Sequence, residues 1–406
     1  MIRHDIPALI LDRRHFLRSG MAVFGAAGGL SSGLAGCATP DPFASVDRLA
    51  RDAVQAGQCP GVVLAIGHGG GIVHRYVYGA RALVPVREPE SWDTRFDMAS
   101  LTKPSMTALA VMQLVEQNRL SLDEPVATIL PDFAAAGKSD ITIRLLLTHY
   151  SGLPPDIALT DPWQGKAEAV RRAMQSVPAT PPGDRFVYSD VNFITLGLVV
   201  ERLSGMPLET YVQHNILDPL GMTQSGYRPG RSLTPLIAPT QFDEHGLMLR
   251  GVVHDPTARR MGGVAGHAGL FSNAHDMCLY AQSLLDRLAG RPSAFPLRRD
   301  TLALMTSPQQ PAGKTDLRGL GWDISTHYST PRGAYFSPRS FGHTGFTGTS
   351  LWIDPPSDSY VIILTNRVHP SGGHSVVALR QAIATEAARA LGLDAPRPVA
   401  TSVTRG

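Results

Sequence analysis

The strand-like segments of this sequence lie near its two ends, and a long helical stretch separates them. Two β-rich runs, 61–66 and 72–78, flank a glycine-rich turn and predict a hairpin. Three more β-rich runs come late in the chain, at 334–342, 348–354 and 360–364. A sheet that buries all of these runs must combine both ends of the chain, so the segment between them has to form an insertion.

That intervening segment has the spacing of apolar residues that is typical of amphipathic helices. Helical patterns occur at 43–57, 104–118, 141–147, 164–177, 193–204, 208–215, 275–289 and 374–392. We therefore predict an α+β fold, in which an antiparallel sheet flanked by helices (about 43–98 and 331–392) joins an all-helical lobe (about 99–330). A functional site is expected at the seam between the two lobes.

The first 37 residues resemble an export signal. Arg13-Arg14 stands in a twin-arginine pattern, a short glycine- and alanine-rich run follows, and Leu34-Ala35-Gly36-Cys37 resembles a lipoprotein cleavage box. Cleavage would leave a lipidated Cys37 and a mature domain, 38–406, attached to a membrane only through its acyl chains. The expected location is the periplasmic side of the cell envelope, and Ala38 favours the outer membrane. The alternative is an uncleaved anchor or a tail.

The charge of the chain gives no reason to expect a nucleic acid as partner. The formal net charge is +3, and the first 37 residues hold four arginines against two aspartates. The remaining domain is nearly neutral, whereas nucleic-acid-binding domains carry a marked excess of basic residues.

The cysteines and histidines show no spacing typical of a zinc site, so we expect neither a metal nor another cofactor. Cys59 and Cys278 remain after the signal segment. An envelope location would permit a disulfide between them, and two separate buried thiols are equally compatible with the sequence.

Only one of the four lysines has a serine three residues before it, in Ser100-Leu101-Thr102-Lys103. This spacing places both side chains on one face of a helix that begins here. Such a serine can be deprotonated by a neighbouring amine or phenolate, and its own N–H can face an oxyanion. By itself the pattern is also compatible with a capping serine and an exposed lysine.

Two further groups follow along the chain. Tyr188-Ser189-Asp190 stands where a loop becomes a helix, so the phenol of Tyr188 can point into a cleft and act as a general base beside a lysine. His343-Thr344-Gly345 precedes a predicted strand, and its glycine permits close approach of a substrate backbone. Taken singly, the first group fits a core tyrosine with a helix cap, and the second fits a plain turn.

In this order, the three groups resemble the family of class C β-lactamases, serine D,D-peptidases and related esterases. The stretches 96–99 and 146–154 add to the resemblance, which covers nearly all of the mature chain. It implies a β-lactamase/transpeptidase-like fold with Ser100 as nucleophile, Lys103 as its activating partner and Tyr188 as base. It also implies an oxyanion hole made by the N–H groups of Ser100 and Phe346. The residues expected to contact substrate are Asp190, His343, Thr344 and Gly345.

Other stretches resemble the branch of this family that acts on cell-wall fragments: 188–192, 253–255, 262–271 and 366–370. They imply a hydrolase of peptidoglycan fragments, with His254 or Arg367 holding a carboxylate or a sugar oxygen. We expect an N-acetylmuramoyl-L-alanine amidase first. A D,D-carboxypeptidase, an esterase and a weak β-lactamase are the alternatives.

Two departures from the family pattern argue against efficient β-lactam hydrolysis. Many members have asparagine where this chain has Asp190, and an ionised aspartate cannot donate to a substrate amide. Antibiotic-hydrolysing members typically have lysine where this chain has His343, and histidine is a weaker, pH-dependent partner for a carboxylate.

Two other classes of protein fit the sequence less well. An α/β-hydrolase needs Gly-x-Ser-x-Gly after a His-Gly-Gly-Gly loop, but here the only such serine motif lies at 29–33, inside the signal segment. A non-catalytic sensor of wall fragments would not need Ser100, Lys103 and Tyr188 together.

Overall fold

The structure is a computed structural model that describes residues 41–394. The export signal and Cys37 therefore lie outside the described residues. Within them, an eight-stranded antiparallel sheet forms the centre of the fold. Its strands, in spatial order, are β3 (Glu88–Pro89), β2 (Gly71–Ala82), β1 (Gly61–His68), β11 (Ser359–Leu364), β10 (Ser350–Asp354), β9 (Phe341–Thr344), β8 (Asp323–Ser325) and β7 (Leu317–Arg318).

The two ends of the chain meet at the middle of this sheet. Strands β1 and β11 pair antiparallel, with Val63 opposite Leu364 and His68 opposite Ser359. The hairpin of β1 and β2 and the pair β10 and β11 extend the sheet to either side. The predicted assembly of one antiparallel sheet from both chain ends is thus confirmed.

Both faces of the sheet are covered, which explains why β1 is an unbroken apolar run. Successive side chains of a strand point to opposite faces. Val62, Leu64 and Ile66 enter the core on one face, and Val63 and Ala65 enter the larger core on the other. Residues 61–67 of β1 are therefore all buried, and the register of the strand is fixed from both sides.

Helices lie on both faces of the sheet and fill the segment inserted between its strands. Helix α1 (Ala44–Gln55) packs against α11 (Val377–Ala390) on one face, and α9 (Ala274–Ala289) packs on β1 and β11. The remaining helices are α2 (Leu109–Glu116), α3 (Ile143–Leu147), α4 (Lys166–Gln175), α5 (Asp190–Ser204), α6 (Leu208–Val212), α7 (Asp218–Leu220), α8 (Pro256–Arg260) and α10 (Arg299–Met305). A short second sheet joins β4 (Phe96–Asp97), β6 (Leu270–Ser272) and β5 (Gly226–Tyr227).

The boundaries of the two lobes differ from the sequence-based ones. Strands β7 and β8 and helix α9 belong with the central sheet, although the sequence placed them in the helical lobe. The two strands are only two and three residues long, so they leave almost no periodic signal. Of the predicted strand 334–342, only its end contributes, as part of β9.

Cys59 and Cys278 are both buried free thiols. Within residues 41–394 no single helix has the length and hydropathy needed to cross a membrane. The stretches Asp190–Ser204 and Leu208–Leu220 meet those criteria only together, as a pair bent by 75°.

Candidate active site

Ser100 stands on a tight turn between β4 and the helix that contains α2. Ala99, just before it, has a φ of 47°, a left-handed conformation that costs energy for a residue with a Cβ atom. The buried carboxylate of Asp97 supports the turn, because it accepts from the N–H of Ala99 (2.9 Å) and from that of His254 (2.7 Å). Burial raises the pKa of Asp97 to about 6. The turn thus holds Ser100 at the start of a one-turn 3-10 helix, Ala99–Leu101.

Lys103 is fully buried one turn after Ser100. Its Nζ donates to Ser100 Oγ at 3.0 Å and to the carbonyl oxygen of His267 at 3.0 Å. It also forms an ion pair with Asp190 Oδ1 at 2.6 Å. Burial disfavours the charged amine, but the Asp190 carboxylate and Tyr188 outweigh it, so the pKa of Lys103 lies above its usual range. The carboxylate of Asp190 therefore favours the ammonium form of Lys103.

Tyr188 lies immediately before the N-terminus of α5, and the segment 146–154 fixes its position. His149 stacks on the phenol ring, with centroids 4.5 Å apart, and His149 Nδ1 accepts from the N–H of Ser189. Ser189 in turn caps α5 by accepting from the N–H of Asn192. The phenol interacts with the side chains of Lys103 and Ser100. The predicted trio is thus brought together in one place.

The turn after β9 is fastened directly to the turn that carries Ser100. Thr347 Oγ1 donates to the carbonyl of Asp97 (2.8 Å), and Thr349 Oγ1 donates to that of Met98 (3.1 Å). The approach is so close that a Cβ atom on Gly345 would lie 2.6 Å from the Met98 oxygen. Phe346 sits at the tip of this turn, and its N–H makes no backbone hydrogen bond within the described chain. It could serve as an oxyanion donor beside Ser100.

A cavity of about 380 Å³ opens at Ser100. Seven of its lining residues are those that the sequence analysis assigned to the site or its substrate: Ser100, Tyr188, His343, Thr344, Gly345, Phe346 and Arg367. The others include two buried arginines, Arg318 and Arg380, together with Asp323, Tyr328 and residues 375–377.

The positive charge of this cavity comes from arginine and not from histidine. Burial, with Arg318 and Lys103 nearby, holds the pKa of His343 well below its usual range, so His343 is neutral. Its Nδ1 donates to the carbonyl of Thr344 at 2.8 Å, which leaves Nε2 as an acceptor. The expectation that His343 titrates as a partner for a substrate carboxylate therefore finds no support in this geometry.

The two buried arginines are held differently. Arg318 lies 3.5 Å from the carboxylate of Asp323, and Arg380 donates through Nη2 to the carbonyls of Gly345 and Thr349. The Nε atoms of both arginines are buried without a hydrogen-bond partner in the described structure. Sequence reasoning missed both. The sequence does contain a sign of Arg380. It is a charged residue on the buried face of α11, which is otherwise formed by apolar residues such as Leu379, Ile383 and Ala387.

Two predicted substrate contacts, Asp190 and His254, lie outside the lining of the cavity, and a third, Arg367, belongs to it. Asp190 is not among the lining residues, and its carboxylate faces Lys103. His254 stacks on Phe346, outside the lining, and burial lowers its pKa to about 4. Arg367 does line the cavity. Its Nε donates to the backbone carbonyl of Phe346, and its guanidinium carbon lies 4.6 Å from the centroid of the Phe346 ring.

One cluster of ionisable groups among the described residues has donor atoms close enough for a metal ion. Asp190, Asp255 and His267 place these atoms within 4.8 Å of one another. The ammonium of Lys103 already lies 2.6 Å from Asp190, so a cation is supplied by the chain itself. This donor set does not fit a further metal ion well.

Comparisons with known proteins agree with this geometry. The β-lactamase family profile matches residues 46–386. A protein of Escherichia coli (strain K12), called "Putative D-alanyl-D-alanine carboxypeptidase", is 32% identical over 363 residues, which cover 80% of this chain and 82% of the relative.

Solved structures share the fold. A penicillin-binding protein homologue from Caulobacter crescentus superposes with a TM-score of 0.68 and 21% identity over 86% of this chain and 98% of its own. The octameric penicillin-binding protein homologue from Pyrococcus abyssi superposes with a TM-score of 0.61 and 24% identity. The match covers 78% of this chain and 71% of the homologue.

Proposed function

The chain belongs to the β-lactamase family of serine hydrolases, and from this premise we propose that it removes a terminal D-alanine from cell-wall peptides. The observation that carries the proposal is the arginine-lined cavity at Ser100. A D,D-carboxypeptidase must bind the free carboxylate of the residue that it releases. The name of the Escherichia coli relative supports the same substrate class.

In the proposed reaction, Ser100 Oγ attacks the carbonyl carbon of the scissile peptide bond. Its proton passes to the phenolate form of Tyr188, which burial disfavours and the adjacent Lys103 stabilises, and Tyr188 then protonates the amine of the leaving D-alanine. The N–H groups of Ser100 and Phe346 stabilise the oxyanion. Water hydrolyses the acyl-enzyme, and Ser100 recovers its proton.

The charges of the cavity favour an anionic substrate. Arg318, Arg367 and Arg380 all line it, and Asp323 is the only acidic residue among the lining residues within 41–394. Lys103 adds no free charge, because Asp190 neutralises it. A carboxylate next to the scissile bond would satisfy this excess of positive charge.

The stretches that suggested an amidase lie elsewhere. None of residues 262–271 lines the cavity. Asn366 donates to the carbonyls of Arg81 and Pro239, and His369 accepts from the N–H of Leu83, so both hold loops together. Of these stretches only Tyr188, the base that the wider family resemblance already implies, and Arg367 line the cavity, and a carboxylate is the natural partner of Arg367. The carboxypeptidase alternative is therefore the better supported one.

The experiment compares one peptide in two forms. The purified domain is given an acyl-D-alanyl-D-alanine peptide with a free C-terminal carboxylate and the same peptide with a C-terminal carboxamide. Loss of a charge-assisted contact should lower kcat/KM about 10–100-fold for the carboxamide. The change lies in the substrate, so the fold of the protein cannot account for the result.

Product masses separate the alternatives. Release of D-alanine supports the proposal, whereas free N-acetylmuramic acid with an intact peptide from muropeptides would make this an amidase. Equal rates for carboxylate and carboxamide would remove the argument from the arginines. Ser100→Ala serves as the control and should lower turnover at least about 10³-fold, because it removes the nucleophile.

A further inference from the structure

A group of charged side chains lies around Lys103, outside the lining of the cavity. Lys103 Nζ has three partners: Ser100 Oγ, the carbonyl of His267 and the carboxylate of Asp190. Two protonation patterns fit this geometry. An ammonium donates to all three partners, whereas a neutral amine donates to two and accepts from the Ser100 hydroxyl. The charge at position 190 decides between the two.

A second ion pair braces the first. His267 Nε2 lies 2.8 Å from Asp255 Oδ1, and His267 is 1% exposed. The same Asp255 oxygen accepts from the N–H of Ala258 and caps α8. Burial opposes the charge on His267, but Asp255 outweighs it and raises the pKa of His267. The stretch 262–271 thus places two polar groups of His267, its backbone carbonyl and its imidazole, around the Lys103–Asp190 pair.

We propose that Asp190, braced by the His267–Asp255 pair, is a positioning residue that keeps Lys103 an ammonium ion, so that Tyr188 receives the proton of Ser100. This inference rests on the proposed function only in taking Ser100 as the acylated residue. In the first step a bond forms between Ser100 Oγ and the acyl carbon. The Ser100 proton goes to the phenolate oxygen of Tyr188, and Lys103 keeps its charge throughout.

Asp190 has a second effect on the same reaction. Burial raises the pKa of Tyr188, Lys103 lowers it, and the Asp190 carboxylate raises it further. Replacing Asp190 by asparagine should therefore lower the pKa of both Lys103 and Tyr188. The other ionisable groups that face this pair are Asp156, Asp255, His267, His149, His343 and, through Tyr188, Arg318.

The first test is a pH profile with p-nitrophenyl acetate, which has neither a carboxylate nor an amide for residue 190 to contact. In Asp190→Asn, the acidic and basic limbs of the pH profile of kcat/KM should both move to lower pH by about one unit or more. The reason is that the substitution removes a negative charge in contact with Lys103. Asp190→Glu keeps the negative charge, so the two limbs of its pH profile should stay at the wild-type pH values even if kcat is reduced.

Asp156→Asn is the matched control. Asp156 lies near the same cluster, but its carboxylate accepts from Thr257 and does not contact Lys103. A shift in Asp156→Asn as large as in Asp190→Asn would overturn the proposal in favour of the general field of the cluster. If Asp190→Asn lowered the maximum of kcat/KM without shifting either limb of the pH profile, the role of Asp190 would be structural only.

The second test needs no variant of Asp190. The chain has four lysines, at 103, 138, 166 and 314, so lysine labelled with 13C at Cε gives a spectrum of four signals. Lys103→Met identifies the signal of Lys103. That signal should keep the shift of an ammonium at pH 8 and above, and the shift of a neutral amine at pH 8 would overturn the proposal. Failure of a fluorophosphonate to label Ser100 would instead refute the proposed function.

Discussion

Replacing Gly345 by alanine tests how tightly the turn after β9 is fitted against the turn of Ser100. The added Cβ atom would lie 2.1 Å from Thr349 Oγ1 and 2.6 Å from the Met98 carbonyl oxygen. Carbon and oxygen atoms in contact normally stay about 3.3 Å or more apart. The hydroxyl of Thr349 can rotate away from the added Cβ atom, but the Met98 carbonyl belongs to the backbone. The distance between the Cβ atom and the Met98 oxygen must therefore grow by about 0.7 Å through movement of the turn itself.

That movement acts on the neighbouring residue, Phe346, whose N–H is the proposed oxyanion donor. A donor displaced by such a distance loses much of its transition-state stabilisation, so kcat should fall about 10²-fold. The KM for a small ester should change far less, because such a substrate makes few contacts outside the reacting group.

The assay is steady-state hydrolysis of p-nitrophenyl acetate, with melting temperature measured in parallel. Gly71→Ala is the matched control, since a Cβ atom there meets nothing within 4 Å. Gly345→Ala combined with Thr349→Ala should not recover activity, because the Met98 contact remains. Turnover of Gly345→Ala close to wild type, at an unchanged melting temperature, would refute the reasoning.

Three further predictions concern the base, stability and location. Tyr188→Phe should fold normally and lose about 10²–10⁴ in kcat, and an unchanged rate would move the base role to Lys103. Burial raises the pKa of Glu90 to about 7, so its contribution to stability is lost as pH rises from about 4.5 through 7. Glu90→Gln should therefore raise the free energy of unfolding by about 3 kcal/mol at pH 8.5 and change it little at pH 4.5, as urea titrations would show. Cys37→Ser should move the protein from the membrane fraction to the soluble fraction on cell lysis, and a soluble wild type would contradict the predicted lipid anchor.

The sequence alone determined the fold class and the family. Strands at both chain ends and helices between them sufficed for the α+β sheet assembly, because hydrophobic periodicity is a local property of the chain. Ser100 and Lys103 are neighbours on one helical turn, so their contact also follows from spacing. Local patterns marked Tyr188 and the turn at 343–345 as candidates, but only the family resemblance assigned them to one site with Ser100, since Tyr188 lies 88 positions further along the chain.

Only the tertiary structure decided the charges of the site. Arg318 on β7 and Arg380 on α11 reach the cavity from elements far apart in the sequence, and no local pattern records that they meet. The same holds for Asp190, which the sequence assigned to substrate and the fold places against Lys103. The protonation states follow from burial and from neighbours in space: burial lowers the pKa of His343, and the Asp190 carboxylate raises that of Lys103. Hydrophobic periodicity along the chain does not reveal the burial or the spatial neighbours of a side chain, because both depend on which distant segments pack around it.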